Sequence, residues 1–147
     1  MKRKGIEMTL EQVIAHQRKH GFEAPAPFSS ETVRIAEKKL RKLRIGRRKM
    51  TQTELEFQAL LSAQKEQGMI LDFKFEGVRL PWGDGMLFKS DFAVQQLNGA
   101  IALIEVKGKH IWKHAIVRFK GCRAEWKDWF CFEFWQKDSN GLWHQLA

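Results

Sequence analysis

Apolar positions recur along this chain with two periods, and the changes of period mark its elements. From Thr9, the residues Leu10, Val13 and Ile14 form a short stripe at helical spacing. Thr9 can cap that helix, with Gln12 three residues on as its reciprocal partner. The helix is expected to run to about His20 and stop at Gly21. Glu23-Ala-Pro25-Ala-Pro27-Phe28 cannot continue it, because proline lacks the amide donor and restricts its predecessor. Ser29 or Ser30 then caps a second helix to about Ile45, with Val33, Ala36, Leu40 and Leu43 as a thin apolar stripe. Thr51-Gln-Thr-Glu54 predicts a third helix by a capping box; Leu55, Phe57, Leu60 and Leu61 form its apolar face and Gly68 ends it.

Beyond Gly68 the period falls to two. Residues 69–80 read as one extended run alternating at Leu71, Phe73 and Phe75, followed by a turn at Pro81-Trp82-Gly-Asp-Gly85. Two more extended runs, Phe88–Val94 and Ile101–Lys107, flank Asn98-Gly99, a pair that tolerates the positive φ of a tight hairpin turn. Trp112, Ala115, Ile116 and Phe119 restore helical spacing over about 111–126. Phe130–Trp135 reads as a strand, Asp138-Ser-Asn-Gly141 as a hairpin turn, and Leu142–Leu146 as a last short strand. The order after a helical arm is therefore α, β, β, β, α, β, β, a mixed α/β (α+β) fold. The boundary falls at residue 50, giving a basic helical N-terminal arm over 1–49 and a compact domain over 50–147.

Charge sharpens this division. The net charge is +9; residues 1–50 hold 14 Lys and Arg against 5 Asp and Glu, while residues 51–147 hold 12 of each. A polyanion is the natural partner of so concentrated an excess, nucleic acid before a membrane surface. Lys38, Lys39, Arg41, Lys42 and Arg44 surround the apolar stripe of the second helix, and Arg47, Arg48 and Lys49 follow it. That helix can lie along a phosphate backbone or pack on a partner by its stripe. His16 and His20, spaced i, i+4 without an acidic or Cys companion, read as solvent-facing. No apolar run reaches the roughly 18 residues of a membrane span, no signal-peptide core is present, and a cytoplasmic protein is expected. Cys122 and Cys131 lack a CxxC spacing and read as reduced thiols in or near the core.

Chemistry is concentrated at the Asn98-Gly99 hairpin. Alternation puts Glu105 and Lys107 on one strand face with Ile101 and Leu103, and Ala102, Ile104 and Val106 on the other. With a strict two-residue loop, facing residue numbers sum to 197 and Asp91 falls one place from Glu105; one extra loop residue or a bulge makes the sum 196 and sets Asp91 opposite Glu105. Either register gathers two carboxylates and an ammonium in an apolar hairpin. Such charges need partners or a metal, and hard carboxylate oxygens suit magnesium or manganese. The same residues would also make a plain salt bridge across a hairpin.

The element order, Thr51-x-x-Glu54 opening a helix, Lys89-Ser-Asp91-Phe on one strand and Ile104-Glu105-Val-Lys107-Gly108 on the next resemble the PD-(D/E)xK nuclease superfamily over roughly residues 50–136. The likeness is to its small phage-type endonucleases, of the Holliday-junction resolvase and endonuclease I kind. Ser90 stands where the motif's name expects proline. The resemblance implies a restriction-endonuclease-like core and a magnesium- or manganese-dependent DNA endonuclease, acting in DNA recombination on branched or junction DNA as a homodimer. It implies that Asp91, Glu105, the backbone carbonyl of Val106 and Glu54 bind the metal, and that Lys107 positions the attacking water. Glu56, on a different face of the same helix, competes with Glu54 for its role. Lys113, Arg118 and Lys120, on the helix after the motif, could grip flanking phosphates. Two other readings stand beside this one. In the first, a non-catalytic nucleic-acid-binding protein works through its basic arm. In the second, a small scaffold docks a protein partner through Trp126, Trp129, Trp135 and Trp143.

Overall fold

A computed structural model describes residues 7–8, 12, 19, 28–43 and 50–147. Gln12 and Lys19 are helical. The rest of the helix expected from Thr9, with His16 and His20, lies outside the described residues, as do the Pro25–Pro27 connector and Arg44, Arg47, Arg48 and Lys49.

The helices begin where capping chemistry puts them. Helix α1 spans Ser30–Leu43, and its cap is Ser29, whose Oγ accepts the Thr32 amide at 3.1 Å. Helix α2 spans Gln52–Glu66 and opens on a complete capping box: Thr51 Oγ1 accepts from Glu54 N at 3.2 Å, and Glu54 Oε2 accepts from Thr51 N at 2.7 Å. It closes one residue earlier than expected, at Gln67. Gly68 follows at φ 71°, with Gly68 N donating to Lys65 O and Met69 N to Gln64 O, a Schellman arrangement that requires a left-handed residue. Helix α3 spans Lys113–Trp126.

Nine strands accompany them among the described residues: β1 Glu7–Met8, β2 Ile70–Phe75, β3 Arg79–Trp82, β4 Met86–Lys89, β5 Phe92–Gln96, β6 Ile101–Lys107, β7 Ile111–Trp112, β8 Cys131–Lys137 and β9 Trp143–Gln145. The main sheet has the order β2-β5-β6-β8-β9 and is mixed: β6 and β8 run parallel, the other neighbours antiparallel. The parallel pair follows from topology, since α3 carries the chain back before β8. The expectation of a mixed α/β fold holds.

Two expected extended runs are each split. Glu76, in the left-handed region at φ 50°, and Gly77 divide 69–80 into β2 and β3; Ser90 and Asp91 divide the next run into β4 and β5. Between these breaks β3 and β4 form a separate two-stranded hairpin that leaves the main sheet. It leans on α3: the Trp82 ring packs on Gly121, Trp126 Nε1 donates to Pro81 O at 2.7 Å, and Gly83 N donates to Glu125 Oε1 at 2.6 Å.

The sheet is covered on both faces. Val94, Ala102, Ile104, Val106 and Trp135 meet Phe57, Leu60, Leu61 and Ala36 of α2 and α1; Leu103 and Phe134 meet Phe88, Ile111, Phe119 and Cys122 on the other side. The stripe of α1 is thus used within the chain, through buried Ala36 and partly buried Leu40, and Phe28 stacks on Trp135 with ring centroids 4.8 Å apart. Phe28, Ile35, Ala36 and Leu40, in the segment read as part of a basic arm, are packed on the core. Both cysteines are free, but Cys131 is exposed while Cys122 is buried.

Candidate functional site

The site begins with a turn. The β5–β6 connection is a three-residue loop, Leu97-Asn98-Gly99: Gln96 N donates to Ala100 O and Gly99 N to Gln96 O, both at 2.9 Å, and Gly99 takes φ 85°. Asn98 Oδ1 accepts from Ala100 N at 3.0 Å. The extra residue selects the register in which Val94 faces Ala102 and Phe92 faces Ile104. Counting one place further brings Asp91 to Glu105, the second of the two registers the sequence allowed.

Three polar groups then converge at one end of β6. Asp91 Oδ2 accepts from Val106 N at 2.7 Å. Lys107 Nζ lies 2.6 Å from Glu105 Oε1, 3.5 Å from Asp91 Oδ2 and 3.0 Å from the Val106 carbonyl oxygen. Glu105 is 2% exposed, and its second oxygen, Oε2, is buried without a hydrogen-bond partner among the described residues. Helix α3, on that sheet face, brings Arg118 Nη2 to 3.8 Å from Glu105 Oε1. Two carboxylates thus face two cations where apolar packing gives way to solvent.

Burial, and then the charge of Glu105, raise the Asp91 carboxyl to about 6, against the opposing pull of Lys107 and the Val106 amide. Burial pulls the Lys107 ammonium the other way, but the combined attraction of Glu105 and Asp91, with their hydrogen bonds, outweighs it and leaves Lys107 above its ordinary range. The ammonium is therefore held charged by the carboxylates it neutralises.

Compared with protein-family models, with curated proteins and with solved structures, the chain matches none.

The remaining expected residues divide. Glu54 is not brought into the cluster: α2 covers the sheet face opposite Glu105, and the Glu54 carboxylate is engaged by the Thr51 amide. The start of α2 nevertheless lies beside the end of β6, where a Cβ on Gly108 would stand 3.2 Å from Thr53 Oγ1. Its competitor Glu56 is ion-paired with Lys137 and accepts from Gln52 Nε2 at 3.0 Å. Among the described residues no group of three or more His, Cys, Asp or Glu side chains assembles into a metal site. What converges on the Lys107 ammonium is two carboxylates and a carbonyl oxygen.

Of the expected phosphate-gripping residues, Lys113 is exposed, and Arg118 and Lys120 are partly buried on α3. Burial first, then Arg123, lowers the Lys120 ammonium from its ordinary value. On α1, Lys38 is exposed and Lys39 pairs with Glu66 at 2.9 Å; of Arg41 and Lys42 only the helical backbone is described.

Sequence reasoning overlooked Gln136. It is fully buried, stands beside Lys107 in the parallel β6–β8 register, and donates from Nε2 to Gly108 O at 3.2 Å and Lys109 O at 3.0 Å. It thereby ties down the chain just after the motif. The signal was available: in Phe132-x-Phe134-x-Gln136 one polar residue takes an apolar face position.

Proposed function

We propose that this chain is a divalent-metal-dependent DNA endonuclease with a restriction-endonuclease-like core, a member of the PD-(D/E)xK nuclease superfamily. One observation carries the reading: Asp91, Glu105 and the Val106 carbonyl, from the ends of two neighbouring strands, converge on the Lys107 ammonium.

The donor set fits magnesium or manganese. All three groups are hard oxygens, and Glu105 Oε2 is a buried acceptor that no hydrogen-bond donor satisfies among the described residues. Asp91, Glu105 and the Val106 carbonyl would hold the ion. When bound, such an ion polarises a phosphodiester and lowers the pKa of water near it.

The chain's own residues supply the rest. Lys107 Nζ–H can donate to an attacking water or to a phosphate oxygen, and its position is set by the same strand that carries Glu105. Arg118, anchored near Glu105, offers a guanidinium to the developing phosphate charge. Asp91, bonded to the Val106 amide, keeps the two strands aligned at the reacting end. In this reading Lys113 and Lys120, on the helix of Arg118, grip flanking phosphates, and the basic segment around α1 adds attraction for the polyanion. Branched or junction DNA, cut by a homodimer, is the substrate class this reading favours.

A second reading has its own support. The 2.6 Å contact of Lys107 with Glu105 is what a self-neutralising charge cluster would show, and a non-catalytic nucleic-acid-binding protein would need no more. The deciding experiment incubates the purified protein with supercoiled plasmid and with a four-way junction, in magnesium or manganese and in EDTA. Metal-dependent cleavage lost in Asp91→Ala and Glu105→Ala supports the endonuclease. DNA binding without cleavage, unaffected by EDTA and by Lys107→Ala, supports the second reading.

A further inference from the structure

Lys107 Nζ is within 3.5 Å of one oxygen of each group assigned to the ion: Glu105 Oε1 at 2.6 Å, Val106 O at 3.0 Å and Asp91 Oδ2 at 3.5 Å. An ammonium placed there occupies the centre of the donor set. Resting on the metal-dependent reading above, we propose that Lys107 is an internal competitor of the divalent ion, which enters by displacing the ammonium from these oxygens.

The physical grounds are charge and room. Magnesium requires oxygens at about 2.0–2.1 Å. A divalent ion bound to Glu105 Oε1, Val106 O and Asp91 Oδ2 together contends for oxygens that Nζ already engages, and two cations drawn to the same oxygens repel strongly in a partly desolvated site. One must leave. Lys107 is the one built to move: its charge rides on a flexible four-carbon stem, and its side chain is 26% exposed, so it can swing towards solvent without unpacking the sheet. Glu105 cannot follow, because it is 2% exposed on a central strand.

Two consequences follow. While Lys107 holds the oxygens, the buried Glu105 has a counter-charge, so the fold does not depend on metal for that compensation. When the ion takes the oxygens, the displaced Nζ remains beside them and is free to donate to water or phosphate. Loading of the metal and release of the catalytic ammonium are one event.

The test reads manganese binding to the full chain without DNA, by the loss of the free-ion electron paramagnetic resonance signal. The variants are Lys107→Gln and Lys107→Met, with Glu105→Gln as control. The expected result is an affinity at least about tenfold tighter in the Lys107 variants, the size of a single-charge effect at a partly solvated site, and a loss at least as large in Glu105→Gln. Wild-type affinity or weaker in both Lys107 variants, with the Glu105→Gln loss intact, overturns the competition and leaves the metal site standing. No binding by any form at millimolar manganese overturns both. Should the variants fail to fold, the wild type decides: the Lys107 ammonium resonance should shift as magnesium is titrated, and a signal unmoved at saturating magnesium overturns the proposal.

Discussion

Asp91 accepts the Val106 amide hydrogen across the β5–β6 hairpin, Oδ2 to N 2.7 Å. That bond favours the carboxylate, yet burial and the neighbouring Glu105 charge prevail and lift the group to about 6 from its usual 3.8. The folded chain therefore binds this proton more tightly than the unfolded chain. The stability it confers is greatest below about pH 4, declines as pH rises through the window between the two values, and levels off above about 6. Asp91→Asn removes the slope. Urea denaturation in EDTA should show the wild type losing roughly 2 kcal/mol relative to Asp91→Asn between pH 4 and pH 7. A difference that stays flat or changes in the opposite sense would contradict the assignment.

The register is expected to survive the loss of one loop residue. Deleting Leu97 leaves Asn98-Gly99 as a two-residue loop, for which a tight type I′ turn is the natural solution. Gln96 then still faces Ala100, so Phe92 stays opposite Ile104 and Asp91 stays opposite Glu105. The deletion is expected to keep manganese binding within a few-fold, read by paramagnetic titration, and a loss of binding as large as that of Glu105→Gln would contradict the assigned register. Inserting one glycine elsewhere in the β8–β9 turn, far from this register, should leave binding unchanged.

Glu54 completes a capping box, so its carboxylate acts on the helix rather than on the cluster. Glu54→Gln retains an acceptor for the Thr51 amide and should preserve stability and DNA cleavage within a few-fold. Glu54→Ala should lose about 1 kcal/mol through the cap. A Glu54→Gln variant as inactive as Glu105→Gln would return Glu54 to the reacting set.

Gly121 sits in α3 under the Trp82 ring, where an added Cβ would lie inside the van der Waals envelope of the ring carbons. Alanine in a helix interior normally gains about 1 kcal/mol over glycine. Here overpacking against a rigid ring should outweigh that gain, giving a net loss on the order of 1–2 kcal/mol in thermal or urea unfolding. Trp82→Leu in the same chain should recover the helix gain. A stabilised Gly121→Ala single variant would show that the β3–β4 hairpin does not press on α3.

Much of the site could be read from local chemistry. Thr51 and Glu54 announced a helix start because capping uses only neighbours in sequence, and the Schellman turn at Gly68 follows from glycine's freedom at positive φ. Alternation alone put Glu105 and Lys107 on one face, since a strand has no other way to arrange i and i+2. The three-residue loop was harder. Asn98-Gly99 fits a two-residue turn equally well, and only burial of Val94, Ala102 and Ile104 against α2 selects the longer one.

The sequence by itself determined the helix starts, the Asn98-Gly99 turn, the charge asymmetry and the candidate carboxylates, because caps, turn residues and strand alternation act over a few residues. Only the tertiary structure decided which side of the sheet each charge occupies. It brought Arg118 of α3 to Glu105, kept Glu54 at the start of a helix on the opposite face, and drew Gln136 beside Lys107 through a parallel pairing 29 positions distant in the chain. It also turned Ala36 and Leu40 of α1 inward onto the core, where a stripe alone does not name its partner. These outcomes depend on which surfaces bury together, and burial is a property of the whole packed chain.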